Sequence, residues 1–167
     1  MRIADYLDKG ASLGADRPCL TTDGVSMTYG EVQSLSRRIS AALVASGVQA
    51  GEKVAILSNN DPVAFTALAG ISRAGAVWCP INPRNEASEN RELLDLFDCT
   101  TLIFQASYAP LVDRIRADLP GIRTWVCLDG TVDDAVGWDE FLARGDDLSF
   151  EVEPIDDVAA IVGTGGT

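Results

Sequence analysis

The sequence predicts an α/β domain with a largely parallel sheet and crossover helices, and three observations carry that prediction. Short apolar runs alternate with helix-period segments from Thr28 to Leu128, in the order strand, helix, strand, helix, strand, helix, strand after an opening helix. The links between them are brief and rich in Gly, Pro, Asn and Asp. The chain has 167 residues, of which 47 % are hydrophobic, enough to bury one core without a metal or disulfide staple.

The elements follow in order. Val32, Leu35, Ile39 and Leu43 lie at three-to-four spacing, so Thr28–Ser46 is predicted helical, with Thr28 and Glu31 as a capping box and Gly47 as its stop. Glu31 is therefore read as a cap and not as a catalytic acid. Lys53–Leu57 is too short for a helix and reads as a buried strand. Asp61 as N-cap and Pro62 at the first helical position start a helix that runs to Gly75 and is apolar nearly all round. Such a helix needs cover on more than one side. Val77–Ile81 is the next strand, followed by a helix over Ala87–Phe97, a strand at Leu102–Phe104, a helix over Ala109–Leu119 and a strand at Arg123–Leu128. Beyond Asp129 the sequence reads as an acidic connector over residues 129–157, with one short helix at Trp138–Ala143. A last strand, Val158–Val162, then runs into Gly163-Thr164-Gly165-Gly166-Thr167.

Composition excludes several function classes. The chain contains no histidine, so it can assemble neither a Ser-His-Asp nor a Cys-His nucleophile system, nor a His-containing zinc site. The net charge of −12 argues against nucleic acid and anionic membrane as partners, because both demand clustered Lys and Arg. Residues 129–167 hold 11 of the 25 acids and only Arg144 of the 13 bases. Cys19, Cys79, Cys99 and Cys127 lie far apart in or beside apolar stretches, which reads as free thiols in a reducing compartment. The acid in Met1-Arg2-Ile3-Ala4-Asp5 is foreign to a secretory leader, and no apolar run approaches a membrane span, so the expected location is cytoplasmic.

A glycine-rich loop directly after a buried strand lets backbone N–H groups crowd around a phosphate, with Thr hydroxyls as further donors. Gly163–Thr167 suits that chemistry, although its spacing matches neither common phosphate-loop pattern. In its context, Asp156-Asp157-Val158-Ala159-Ala160-Ile161-Val162-Gly163-Thr164-Gly165-Gly166-Thr167 resembles the opening of the phosphate loop of the adenylate-forming superfamily, the acyl-CoA synthetases and their relatives. The resemblance extends upstream through Met27-Thr28-Tyr29-Gly30-Glu31-Val32, then residues 47–56, then Ala74-Gly75-Ala76-Val77-Trp78-Cys79-Pro80-Ile81-Asn82-Pro83-Arg84. Gly163 stands where that family often has an aromatic residue, and Gly165 where it often has Ser.

The resemblance implies that residues 1–167 are a partial N-terminal AMP-binding domain, with the rest of the adenylation core and a C-terminal domain absent. It implies an ATP-dependent acid–thiol ligase that forms an acyl-adenylate and then an acyl-CoA, with ATP, Mg²⁺ and coenzyme A as cofactors and a fatty acid as substrate. An aromatic or steroid-derived carboxylate is the alternative substrate, and a self-contained nucleotide-binding or protein-interaction module the alternative class. Thr164, Gly165, Gly166 and Thr167 are the implied cofactor-binding residues, part of an ATP phosphate cradle. No catalytic residue and no metal ligand is implied within the chain, which on its own is expected to be inactive. Asn82, Pro83 and Arg84 lie where ligands of open α/β sheets tend to bind, and a loop-fixing ion pair is the ordinary reading of Arg84. The apolar helix from Pro62 and the Val158–Val162 strand are expected to be left uncovered and to drive self-association.

Overall fold

The computed structural model describes residues 2–149 and 158–163. It opens with two elements that the sequence reading had not assigned: helix α1 (Ile3–Leu13) and an antiparallel hairpin, β1 (Pro18–Thr22) and β2 (Val25–Thr28). Asp23 and Gly24 turn the hairpin with φ of 51° and 79°, the paired positive values of a tight two-residue turn. Helix α2 (Tyr29–Ala45) starts at the predicted capping box: Thr28 N–H donates to Glu31 Oε2 at 2.7 Å, and Glu31 N–H donates to Thr28 Oγ1 at 3.2 Å. That backbone donor and the Thr28 hydroxyl hold the Glu31 carboxyl below its usual range, the state a cap requires.

The main sheet has five parallel strands: β3 (Lys53–Leu57), β4 (Val77–Ile81), β5 (Cys99–Phe104), β6 (Thr124–Cys127) and β7 (Val136–Gly137). Their spatial order is β4-β3-β5-β6-β7, so the chain steps outward from β3 to β4 and then returns past β3 to β5. Helix α3 (Pro62–Arg73) covers one face together with α2 and α6 (Trp138–Ala143); α4 (Ala87–Leu96) and α5 (Ala109–Ile115) cover the other. Alternation along β3 divides the core. Val54 and Ile56 face the α2–α3 layer, while Ala55 and Leu57 face the α4–α5 layer. All four cysteines are free; Cys79, Cys99 and Cys127 are buried on the strands and Cys19 is half-buried in the hairpin.

Three expectations are corrected. The apolar perimeter of α3 is covered within the chain: Ala64, Ala67, Leu68 and Ile71 are buried, and Phe65 is its exposed large apolar residue. The uncovered helix face invoked for self-association is therefore filled by α1 and α2. The α2 contact is close enough that a Cβ on Gly70 would fall 2.6 Å from Ile39 Cγ2. Second, the acidic stretch read as a connector is folded over residues 129–149: β7 extends the sheet, Phe141 is fully buried, and Gly145 lies so near α2 that a Cβ would meet the Ala42 nitrogen at 2.5 Å. Residues 150–157 of that stretch lie outside the described residues. Third, Val158–Val162 is not a full strand. It forms one parallel bridge, with Trp78 N–H donating to Ala159 O at 3.1 Å and Ile161 N–H donating to Trp78 O at 2.9 Å. Pro80 is two residues further along β4 on the same edge and has no N–H with which to continue the ladder.

Helix α1 is fastened to the α2–α3 layer by a shared ion pair. Arg73, with a side chain only 12 % exposed, donates through both terminal nitrogens to Asp8, and Gln33 Nε2 donates to Asp8 Oδ1 at 2.6 Å. Arg73 Nε also donates to Ser36 Oγ at 2.8 Å. These donors, Arg73 foremost, hold the Asp8 carboxyl below its usual range. A depressed folded-state value gives stability that is present above the unfolded carboxylate value and lost as pH falls through the folded one. Asp8→Ala should cost about 1–2 kcal/mol at neutral pH, because Arg73 is left without its acceptor; the gap to the wild type should shrink below about pH 4. Urea unfolding of both proteins across that range measures it. Gly70→Ala should lose about 1–3 kcal/mol in the same assay despite alanine's helix preference, since the β-branched Ile39 cannot yield the space.

Candidate functional site

In a parallel sheet every strand exit lies at one edge, and the crevice outside that edge where strand order reverses is the natural ligand site. Here the reversal lies at β3, between exits to either side. Ser58-Asn59-Asn60 leaves β3, Asn82-Pro83-Arg84 leaves β4, Gln105 leaves β5 and Asp129 follows β6. The segment 158–163 runs parallel to β4, so Gly163 is delivered to the same edge beyond β4. A Cβ on Gly163 would fall 3.1 Å from Leu93 Cδ2 of α4, so this residue passes tightly against the helix.

The exits are tied to one another through polar groups. Gln105 Oε1 accepts from Asn59 N–H at 2.8 Å, bridging the β5 and β3 exits, and Asp129 Oδ1 accepts from Ala106 N–H at 2.6 Å. Asn82 Oδ1 accepts from Arg84 N–H at 3.0 Å, and the Asn82 carbonyl accepts from Asn85 N–H and from Asn90 Nδ2 at 3.2 and 3.1 Å. Two further acids near this edge accept from backbone donors. Asp61 Oδ1 takes Val63 and Ala64 N–H at 2.8 and 2.9 Å as the N-cap of α3, and Glu89 Oε2 takes Glu86 N–H at 3.0 Å at the start of α4.

Arg84 is exposed and makes no ion pair among the described residues. The loop-fixing salt bridge is thus absent there, and what fixes the loop is the Asn82 side chain. Arg84 is the one cation among residues 58–61, 82–86, 105 and 128–135. The opposite, amino edge is stapled by charge: Arg123 Nη2 donates to both Glu52 oxygens at 2.9 and 2.8 Å. Burial raises the Glu52 carboxyl, but the Gln49 N–H and Arg123 outweigh it and keep the group below its usual range. Among the described residues the Arg84 guanidinium at the carboxyl edge has no ion pair, whereas Arg123 at the opposite edge is paired with Glu52.

Thr164, Gly165, Gly166 and Thr167, the predicted phosphate-binding residues, lie outside the described residues. The structure brings their predecessor Gly163 to the edge that holds Asn82, Pro83 and Arg84. Sequence reasoning missed Gln105, Asp129 and Asn90. The first two carry a legible signal, a polar residue at or just beyond a predicted strand end; Asn90 carries none, since it sits mid-helix. Among the described residues no group of three His, Cys, Asp or Glu side chains is arranged to hold a metal ion, and no helix is long and apolar enough to cross a membrane.

An open parallel sheet of five strands with crossover helices on both faces defines the α/β class of the chain. The AMP-binding enzyme family matches residues 7–167, and the chain belongs to that family. It is 29 % identical over 174 aligned positions to a 3-oxocholest-4-en-26-oate–CoA ligase of Rhodococcus rhodochrous, covering all of this chain and 31 % of that protein. It is 29 % identical over 154 positions to a 3-hydroxybenzoate–CoA ligase of an Aromatoleum species, covering 92 % of this chain and 29 % of that one. The solved structure of a Mycobacterium tuberculosis fatty acyl CoA synthetase superposes with a TM-score of 0.80 at 26 % identity, over 98 % of this chain and 32 % of the other. The chain therefore spans about a third of the length of the relatives it matches.

Proposed function

We propose that this chain is the N-terminal part of a longer ATP-dependent acid–CoA ligase, and that Thr164, Gly165, Gly166 and Thr167 form part of its ATP phosphate cradle. The observation that carries the reading is the arrival of Gly163 at the carboxyl edge beside the Asn82–Arg84 loop, in a chain of the AMP-binding family. The glycines that follow offer N–H groups without side-chain obstruction, and the free Arg84 guanidinium supplies positive potential on the same edge.

The reaction proceeds by attack of a carboxylate oxygen on the α-phosphorus of ATP with loss of pyrophosphate. The coenzyme A thiol then attacks the acyl carbonyl and AMP leaves. Oriented donors and cations suffice for such phosphoryl chemistry, which a chain free of histidine accommodates. Gly163 and Arg84 lie on the edge proposed to take the phosphate end of ATP. Among the described residues no group of three His, Cys, Asp or Glu side chains is arranged to hold Mg²⁺, and no step is assigned to it. Fatty acids are the proposed substrates; steroid-derived and aromatic acids, the classes named for two relatives, are the second reading.

ATP–pyrophosphate exchange tests the proposal on the longer protein, offered fatty, steroid-derived and aromatic carboxylates in turn. Exchange stimulated by one class supports it and names the substrate; no exchange with any overturns it. Residues 1–167 alone should show none, because the removal of even one positioned electrostatic contact costs ~10²-fold or more and here most are missing.

A further inference from the structure

At the amino edge of the sheet, β6, β7 and α6 border an open cleft of about 330 Å³. Its lining includes Arg123, Thr124 and Trp125 from the start of β6, Asp134 just ahead of β7, and Glu140 and Arg144 from α6 and its end. The volume lies at the lower end of small-molecule pockets.

Thr124 is the residue that the fold alone does not account for. It is only 9 % exposed, yet its hydroxyl has no hydrogen-bond partner among the described residues. Val126, two residues further along β6, packs with Phe141 and Leu142 of α6, so alternation turns Thr124 toward the same face as Glu140 and Arg144. A buried hydroxyl left without a partner is costly, and a polar group bound in the cleft removes that cost.

The charges around Thr124 are of both signs and are held in place. Arg123 gives Nη2 to both Glu52 oxygens, which leaves its Nε and Nη1 without a partner among the described residues. Arg144 reaches Glu140 at 3.5 Å and Ser46 Oγ at 3.4 Å. Asp134 has φ of 59°, a left-handed conformation that Asp tolerates better than most residues. Arg116 Nη1 donates to the Asp134 carbonyl, and the same guanidinium lies 4.6 Å over the Trp125 ring. The Asp134 carboxylate itself has no partner among the described residues. A simple anion at the arginines meets the carboxylates of Asp134 and Glu140, and a simple cation meets two guanidiniums. A small molecule that carries both charges satisfies each pole.

We propose that this cleft binds a small zwitterion of the amino-acid class. The ligand carboxylate takes the unused nitrogens of Arg123, the Arg144 guanidinium and the Thr124 hydroxyl, and its ammonium group takes the Asp134 carboxylate. Glu52 and Arg116 fix the two poles before the ligand arrives, so binding has little left to order. The proposal does not depend on the ligase reading, because none of these residues lies at the carboxyl edge.

Amide exchange on the longer protein tests it, with L-serine, L-asparagine and L-methionine offered in turn and with acetate, methylammonium and inorganic phosphate offered alone. At least one amino acid should slow exchange saturably at residues 123–126 and 134–144. Thr124→Val keeps the side-chain shape and removes the orphaned hydroxyl, so the melting temperature should hold or rise while the Kd read from that protection increases ~5- to 10-fold. Arg144→Gln and Asp134→Asn should each increase it ~10-fold or more, and these two surface changes secure the test if the valine variant does not fold. No protection of these residues by any of the three amino acids overturns the proposal, as does a Kd that none of the variants changes. Acetate or phosphate that protects the cleft as tightly as the amino acids, in wild type and in Asp134→Asn alike, shows a plain anion site and overturns it too.

Discussion

Strand β3 is hydrogen-bonded on both sides, to β4 in register from Lys53↔Val77 to Leu57↔Ile81 and to β5 from Val54↔Thr101 to Leu57↔Phe104, and every layer of the domain is placed by that double pairing. Because both neighbours are parallel, each connection must cross a face of the sheet, and because the neighbours lie on opposite sides, the crossovers α3 and α4 fall on opposite faces. One five-residue run thus dictates two cores and places the reversal of strand order at its own exit.

That geometry also bears on how an acidic chain could take the polyanionic ligand proposed for it. Three of the carboxylates near the carboxyl edge accept from backbone N–H groups: Asp61 at the start of α3, Glu89 at the start of α4, Asp129 at Ala106. The Arg84 guanidinium on the same edge has no such engagement among the described residues.

Legibility in the sequence followed the range of the forces involved. Lys53–Leu57, Val77–Ile81 and the helix at Trp138–Ala143 were read with the bounds the structure shows, and the Thr28–Glu31 box and the Asp61-Pro62 start occupy their predicted positions. Each is fixed by residues within four of one another. The Asp23-Gly24 hairpin was equally local and was overlooked, whereas β7 is two residues long and exists only through its pairing with β6. The shortening of Val158–Val162 to one bridge was hidden as well, because the missing donor, Pro80, belongs to another strand.

By itself the sequence determined the class of fold and the exclusion of histidine chemistry within this chain, since period and composition are properties of the chain alone. Only the tertiary structure decided that α3 is covered from within, that Gln105 bridges two strand exits and that, among the described residues, Arg84 has no ion pair and Asn90 Oδ1 no hydrogen-bond partner. These depend on which atoms from distant parts of the chain come within about 3 Å of each other, a distance that no local spacing encodes.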